Sequence, residues 1–257
     1  MEKTARRSLA ALLAPLDQVP HLTRTPLGPF AVGPDSYALE RVTFSGGRSS
    51  DPIRIGIFAA IHGDEPAGAA AVVDFLGALG QNPELAEFYE IDAYPVCNPT
   101  GYEDNRRESR GGVDLNREFW RESLQPEVRL LEGELASRHF HGIIQLHADD
   151  TSEGIYGFVR GATLTENLLR PALRRAGEIL PRNQNATIDG FAARDGIIRD
   201  LYEGVLKAHP EMRPEPFEII FETPGTAPVP QQVRALVVAM ETILLEYRGM
   251  ISFAQNL

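Results

Sequence analysis

The chain has 257 residues, 43% of them hydrophobic and 24% charged, enough apolar content for one sizeable core and a poor fit to two, so a single domain over residues 1–257 is expected. Lys and Arg number 25 against 36 Asp and Glu, a formal net charge of -11, the wrong sign for neutralising phosphate backbones; nucleic acid is not an expected partner. The single cysteine, Cys97, excludes an intramolecular disulfide and any metal site built from several thiolates, leaving histidine and carboxylate to carry any metal chemistry.

Residues 8–16 form an apolar run after Lys3, Arg6 and Arg7 and superficially resemble a secretory signal. Glu2 sits among those basic residues, Pro15 and Asp17 close the run, and no small-x-small cleavage site precedes Pro20, so an amphipathic surface helix is the better reading. No stretch approaches the roughly 20 apolar residues that span a bilayer, and a cytoplasmic protein without a membrane partner is expected. Residues 37–44 alternate in part and read as an early edge strand, whereas 53–61 (IRIGIFAAI) are more continuously apolar, as in the middle of a sheet. Residues 45–51 read as a loop. Residues 66–79 have helical composition with Gly80 as a stop. Further strands are expected at 90–96, 142–146 and 217–221, and further helices around 127–138, 164–180 and 233–247. Residues 197–206 (IIRDLYEGVL) also look helical, which would make Tyr202 a packing residue. Alternation of this kind implies an α/β sheet with helices on both faces.

Such sheets place their sites beyond the carboxyl ends of the strands. The strand at 53–61 is followed by His62-Gly63-Asp64-Glu65, that at 142–146 by His147, and FEIIF by Glu222. The three-residue offset lets His62 and Glu65 converge where a strand turns into a helix, and His147 supplies a third group from another strand end. Two imidazoles and a carboxylate with an open fourth position form a common catalytic zinc set, with Glu222 left as a base for water activated by the metal. H-x-x-E alone is a weak pattern; the shared position at strand ends is the stronger signal. His141 lies six residues before His147, a separation of roughly 20 Å along a strand, so the two cannot hold one ion. His139, His141, His21 and His209 read as surface residues.

Between these groups runs Asn98-Pro-Thr-Gly-Tyr-Glu-Asp-Asn-Arg-Arg-Glu-Ser-Arg-Gly-Gly-Val-Asp-Leu-Asn-Arg117. With it the chain resembles the zinc carboxypeptidase family, whose ordered pattern is H-x-x-E, N-P-x-G, an arginine, D-x-N-R, a second histidine at a strand end and a glutamate on a late strand. The resemblance implies a three-layer α/β/α sandwich around a central mixed sheet, one Zn2+ held by His62, Glu65 and His147, and hydrolysis of an amide bond with Glu222 as general base. It also implies that Asn116 and Arg117 bind the free carboxylate of a peptide or N-acyl amino acid substrate, and that an upstream arginine stabilises the oxyanion. Arg107 matches that arginine best, with Arg106 and Arg110 as competitors. Asp114 would orient the turn.

Two departures matter. The segment between Glu65 and His147 is short and approaches the related succinylglutamate desuccinylase and aspartoacylase branch, which makes an N-acyl amino acid deacylase the alternative. Only 35 residues follow Glu222, where that branch usually carries a further β-rich domain, and this favours the carboxypeptidase arrangement. The family's active-site tyrosine has no certain counterpart. The side-chain pocket of the family falls within 187–216, where Asp189, Arg194, Asp195 and Arg199 offer both signs of charge. Of Asp149 and Asp150, one should face the metal-bearing pocket as a partner of a ligand histidine, an anchor for a substrate ammonium or, with Asp64, part of a second metal position; one equivalent of metal is expected.

Overall fold

The computed structural model describes residues 6–47 and 49–255. Glu2 and Lys3, and Arg48 of the 45–51 loop, lie outside the described residues. Helix α1 (Leu9–Leu13) is capped by the Ser8 side chain, which accepts from the Ala11 amide at 3.1 Å, and continues as a 3-10 turn that buries Leu16. Strands β1 (Leu22–Val32) and β2 (Asp35–Ser45) form an antiparallel hairpin. β3 (Ile53–Ala59), α2 (Pro66–Gln81), β4 (Tyr89–Tyr94), the short α3 (Pro99–Asp104), α4 (Pro126–Ser137), β5 (Gly142–Asp149) and β6 (Tyr156–Val159) follow. Then come α5 (Ala162–Leu164), a π-helical turn, α6 (Arg170–Ala176), the short strands β7 (Thr187–Ile188), β8 (Phe191–Arg194) and β9 (Ile197–Ile198), β10 (Phe217–Pro224) and α7 (Val229–Gln255).

The ten strands form one mixed sheet in the order β1-β2-β4-β3-β5-β10-β6-β9-β8-β7. Its centre, β4-β3-β5-β10, is parallel, and β2 and β6 join it antiparallel. β2 is therefore not an edge strand. The edge is β1, which the sequence concealed behind Pro26, Gly28 and Pro29: prolines lack the ladder donor and read as breakers, yet an outermost strand has a free side where that donor is not needed. Residues 197–206 are not helical either. Ile197 and Ile198 pair with Gly157 and Phe158 beside them in β6, and the chain then turns through a loop.

Side-chain alternation sorts the strands into two packed faces. Ile55, Ile57 and Ala59 of β3, Ile144 and Leu146 of β5, and Ile219 and Phe221 of β10 pack with α2, α6 and α7 in one core. Phe58 and Ile143, of opposite parity, pack with Val128, Leu131 and Leu135 of α4 in another. This is an α/β/α sandwich. Cys97 lies in the second core, where burial pushes its thiol up to about 12, so it is a packing residue and not a reactive one. After β3 the chain builds β4 on one flank and returns to place β5 on the other, which creates a crevice at the carboxyl ends of β3 and β5. No helix among the described residues is long and apolar enough to cross a membrane.

Gly142 opens β5 directly opposite Phe217, the first residue of β10, and a Cβ there would fall 2.2 Å from the Phe217 ring, itself packed on Tyr247 at 4.6 Å. Gly142→Ala should therefore destabilise the protein by about 1–3 kcal/mol through overpacking, and adding Phe217→Leu should recover part of that loss in urea unfolding.

Candidate metal centre

β3 ends at Ala59, and Ala60 turns the chain with a φ of 47°. The His62–Glu65 turn that follows packs backbone to backbone on the first turn of α3: a Cβ on Gly63 would lie 1.9 Å from the Gly101 carbonyl carbon. This explains the N-P-x-G segment. The Asn98 side chain caps α3 by accepting from the Gly101 amide at 2.9 Å, and its amide nitrogen donates to the carbonyls of Ile61 and Arg107, both at 3.3 Å. Pro99 occupies the first helical position, where its missing N–H costs nothing.

Glu65 stands at the N-cap of α2 but does not cap it. Its Oε1 lies 2.7 Å from His62 Nδ1; its Oε2 lies 3.0 Å from His147 Nδ1 and accepts the Ala148 amide at 3.0 Å. One ligand atom from each of these three buried residues falls within 4.8 Å of the others, and no second such group of His, Cys, Asp or Glu occurs among the described residues. Two nitrogens and a carboxylate converging on one point fit a zinc ion with a further position open. His62 Nε2 faces Asp114 Oδ1 at 3.4 Å without an aligned hydrogen bond, the kind of carboxylate that orients a ligand imidazole.

Burial raises the pKa of Glu65, but the two imidazoles outweigh it and lower the carboxyl to about 2. Burial likewise works against the charge of both histidines; it wins at His147, which is lowered, and loses at His62, which is raised by Glu65 and Asp114. Glu222 differs in kind. Burial and the negative charges of Glu65, Asp149 and Asp189 lift it well above the usual carboxylate range. Its position follows from strand register: Glu222 pairs with His147 on one side and Tyr156 on the other, so the three form a row across β5, β10 and β6. His147 and Glu222 thus lie within their strands, not beyond them.

A cavity of about 150 Å³ opens beside this row, and Arg107, Asn116, Arg117, Asp149, Asp150, Asp189 and Tyr202 line it together with His62, Glu65, His147 and Glu222. Arg107 pairs with Asp114 at 3.1 Å and stands 3.8 Å from Glu65. Of its competitors, Arg106 is exposed on the surface and Arg110 is tied to Asp104 and Asp35 at 2.7 and 3.0 Å, away from the cavity. Asn116 Oδ1 accepts the Leu206 amide at 2.8 Å, so its two amide hydrogens are left as the polar groups it can offer a ligand. The Arg117 guanidinium lies 4.8 Å from the Tyr202 ring centroid, and the Tyr202 hydroxyl donates to the Asp189 carbonyl at 2.7 Å. Tyr202 is a cavity residue, contrary to its reading as packing. Tyr156 was not foreseen: its hydroxyl donates to Asp149 Oδ2 at 2.9 Å, and only the pairing of β6 with β10 brings it there. His141 is half-buried at the opposite sheet end, where its Nδ1 accepts the Arg54 amide at 2.9 Å. Arg194, Asp195 and Arg199 line a separate cleft.

The succinylglutamate desuccinylase/aspartoacylase catalytic domain matches residues 52–183. Among solved structures, a candidate metallopeptidase from Shewanella denitrificans superposes with a TM-score of 0.76 at 26% identity, covering 92% of this chain and 89% of its own. A metallo-carboxypeptidase from Burkholderia cenocepacia gives a TM-score of 0.73 at 13% identity, with 94% and 68% covered. One from Pseudomonas aeruginosa, in complex with (2-guanidinoethylmercapto)succinic acid, gives 0.68 at 16% identity, with 92% and 67% covered. The latter two establish the likeness of fold. No curated protein matches the sequence.

Without metal, Glu65 is held below its ordinary value of 4.5, so the stability it contributes is present above that value and is lost as pH falls toward about 2. Urea unfolding of chelator-stripped protein should show this acid limb, and Glu65→Gln should flatten it.

Proposed function

We propose that the chain, which belongs to the succinylglutamate desuccinylase/aspartoacylase catalytic-domain family, is a zinc-dependent amide hydrolase of the carboxypeptidase type, acting as a single catalytic unit on a C-terminal peptide or peptide-like bond. The observation that carries this reading is the convergence of His62, Glu65 and His147 on one point with Glu222 paired to His147 on the next strand. His62, Glu65 and His147 would hold the ion. When bound, zinc supplies Lewis acidity that makes water a nucleophile near neutral pH and polarises a carbonyl. Glu222 takes the proton from the attacking water and passes it to the leaving amine. Its raised pKa suits that exchange, although a bound cation works in the opposite direction.

Arg107 donates to the oxygen on which negative charge develops; Asp114, by pairing with it, fixes its fork. Asn116 and Arg117 receive the substrate carboxylate, the first through its free amide hydrogens and the second through a planar guanidinium. The family match supports an N-acyl amino acid deacylase as the second reading. In either case the leaving group is an amino acid, and its side chain meets Asp149, Asp150 and Asp189, of which Asp189 feels the charges of Arg117 and Arg107 at longer range but which, with Glu65 and Glu222, outnumber the two arginines of the cavity. A positively charged side chain complements that wall.

Purified protein should hold one equivalent of zinc, and Glu222→Gln should keep it while lowering kcat at least about 10²-fold. Near-wild-type turnover would remove Glu222 from the role of base. Across N-acyl amino acids and N-acyl dipeptides ending in Lys, Leu or Glu, cleavage should be fastest for Lys, and blocking the terminal carboxylate as an amide should abolish it. Preference for Glu would contradict the charge argument, and faster cleavage of N-acyl amino acids than of dipeptides would select the deacylase.

A further inference from the structure

We propose that Arg7 is a positioning residue that sets the metal-bearing turn against Arg107, an inference that rests on the metal site described above. The backbone amide of Arg7 donates to the Glu103 carbonyl at 3.0 Å, which fixes the N-terminal segment on α3. Its guanidinium lies 5.3 Å from the Tyr102 ring centroid, donates through Nη1 to the Gly63 carbonyl at 2.8 Å, and through Nη2 to Asn105 Oδ1. Gly63 is the residue between His62 and the Asp64–Glu65 pair, and its own N–H donates to the Arg107 carbonyl at 3.3 Å. The Gly63 residue is thus held from both sides, by Arg107 backbone on one and the Arg7 side chain on the other.

Asn105 ends α3 in the left-handed conformation with a φ of 53°, and Arg106 and Arg107 follow at once. Arg7 therefore bridges the turn that carries two candidate ligands and the turn that launches the candidate oxyanion arginine. The bridge is made by one planar side chain whose fork has two ends to give. Arg7 also lines, with Asp64, Val229 and Gln232, a cavity of about 340 Å³ that shares Glu65 and Arg107 with the main cavity but not Arg117. The guanidinium is thereby built into a wall next to the site. Burial lowers its pKa, with Tyr102 and Asp64 opposing the shift.

The test compares wild type with Arg7→Ala, Arg7→Lys and Asn105→Gly. The last removes the second anchor while suiting the positive φ. Zinc affinity, measured by chelator competition on folded protein, should fall tenfold or more in Arg7→Ala, in the range of about 10–100-fold that attends loss of a group orienting metal ligands. Arg7→Lys, able to reach one carbonyl but not both partners, should recover part of it. With zinc saturating, kcat should fall about tenfold in Arg7→Ala while KM changes less than twofold, because Asn116 and Arg117 are untouched. A lowered thermal midpoint with zinc affinity and kcat unchanged would overturn the proposal and make Arg7 merely structural. If Arg7→Ala fails to fold, Arg7→Lys and Asn105→Gly decide on the same readouts, and unchanged affinity in both overturns it. Failure of the wild type to bind zinc overturns the metal site itself, whereas equally tight zinc in wild type and variants removes only Arg7.

Discussion

The register between β5 and β10 is the constraint on which the site depends. Parallel pairing sets His147 opposite Glu222, and the antiparallel partner of Glu222 is Tyr156. Because side chains alternate with a period of two, a slip of one residue would send Glu222 into the core beneath α7 and bring Phe221 to the cavity. The apolar residues of the opposite parity, Ile219 and Phe221 on β10 and Ile144 and Leu146 on β5, are buried in the core that holds α2, α6 and α7. The hydrophobic effect that packs one face therefore fixes the chemistry on the other.

Charge in the crevice is arranged around Glu65. A buried carboxylate is costly unless other groups favour its ionised form, and here two imidazoles and a backbone amide do so. Arg107, 3.8 Å from Glu65 and paired with Asp114, belongs to the same balance. Glu222 receives no comparable compensation and its ionised form is disfavoured accordingly. Two glutamates on neighbouring elements thus differ in basicity through their surroundings alone.

Much of this was legible in the sequence because its signals are local. The apolar run at 53–61 marked a central strand, and H-x-x-E with the later His147 and Glu222 marked strand ends, where an α/β sheet exposes side chains. Asn98-Pro99-Thr100-Gly101 could be matched as a pattern, but its purpose, a backbone contact with Gly63, needs the third dimension. What was hidden is non-local. β1 carries two prolines that an edge position tolerates, so propensity misled. Residues 197–206 have helical composition, yet Ile197 and Ile198 are claimed by β6 and the following loop by the cavity wall, a tertiary override of a weak local preference. Tyr156 carries no motif and enters only through strand pairing. The choice among three nearby arginines was undecidable from spacing, since each direction out of a turn is set by its partners: Arg110 by Asp35 and Asp104, Arg107 by Asp114.

Leu206 is held at both of its backbone polar groups by side chains from other elements: Asn116 accepts its N–H, and buried Gln145 of β5, two residues before His147, donates to its carbonyl at 2.9 Å. A loop that forms a binding wall usually loses conformational freedom when ligand arrives, and that loss weakens affinity. Here the backbone beside the wall residue Val205 is ordered on folding, by the same asparagine whose amide hydrogens remain unused by Leu206. The stretch just before it is held through a side chain instead: Tyr202 is half-buried, its ring against Phe191 and Arg117 and its hydroxyl bonded to the Asp189 carbonyl. The shape of the wall beside Asn116 is thus set before any ligand arrives, and little ordering of that wall remains to oppose binding.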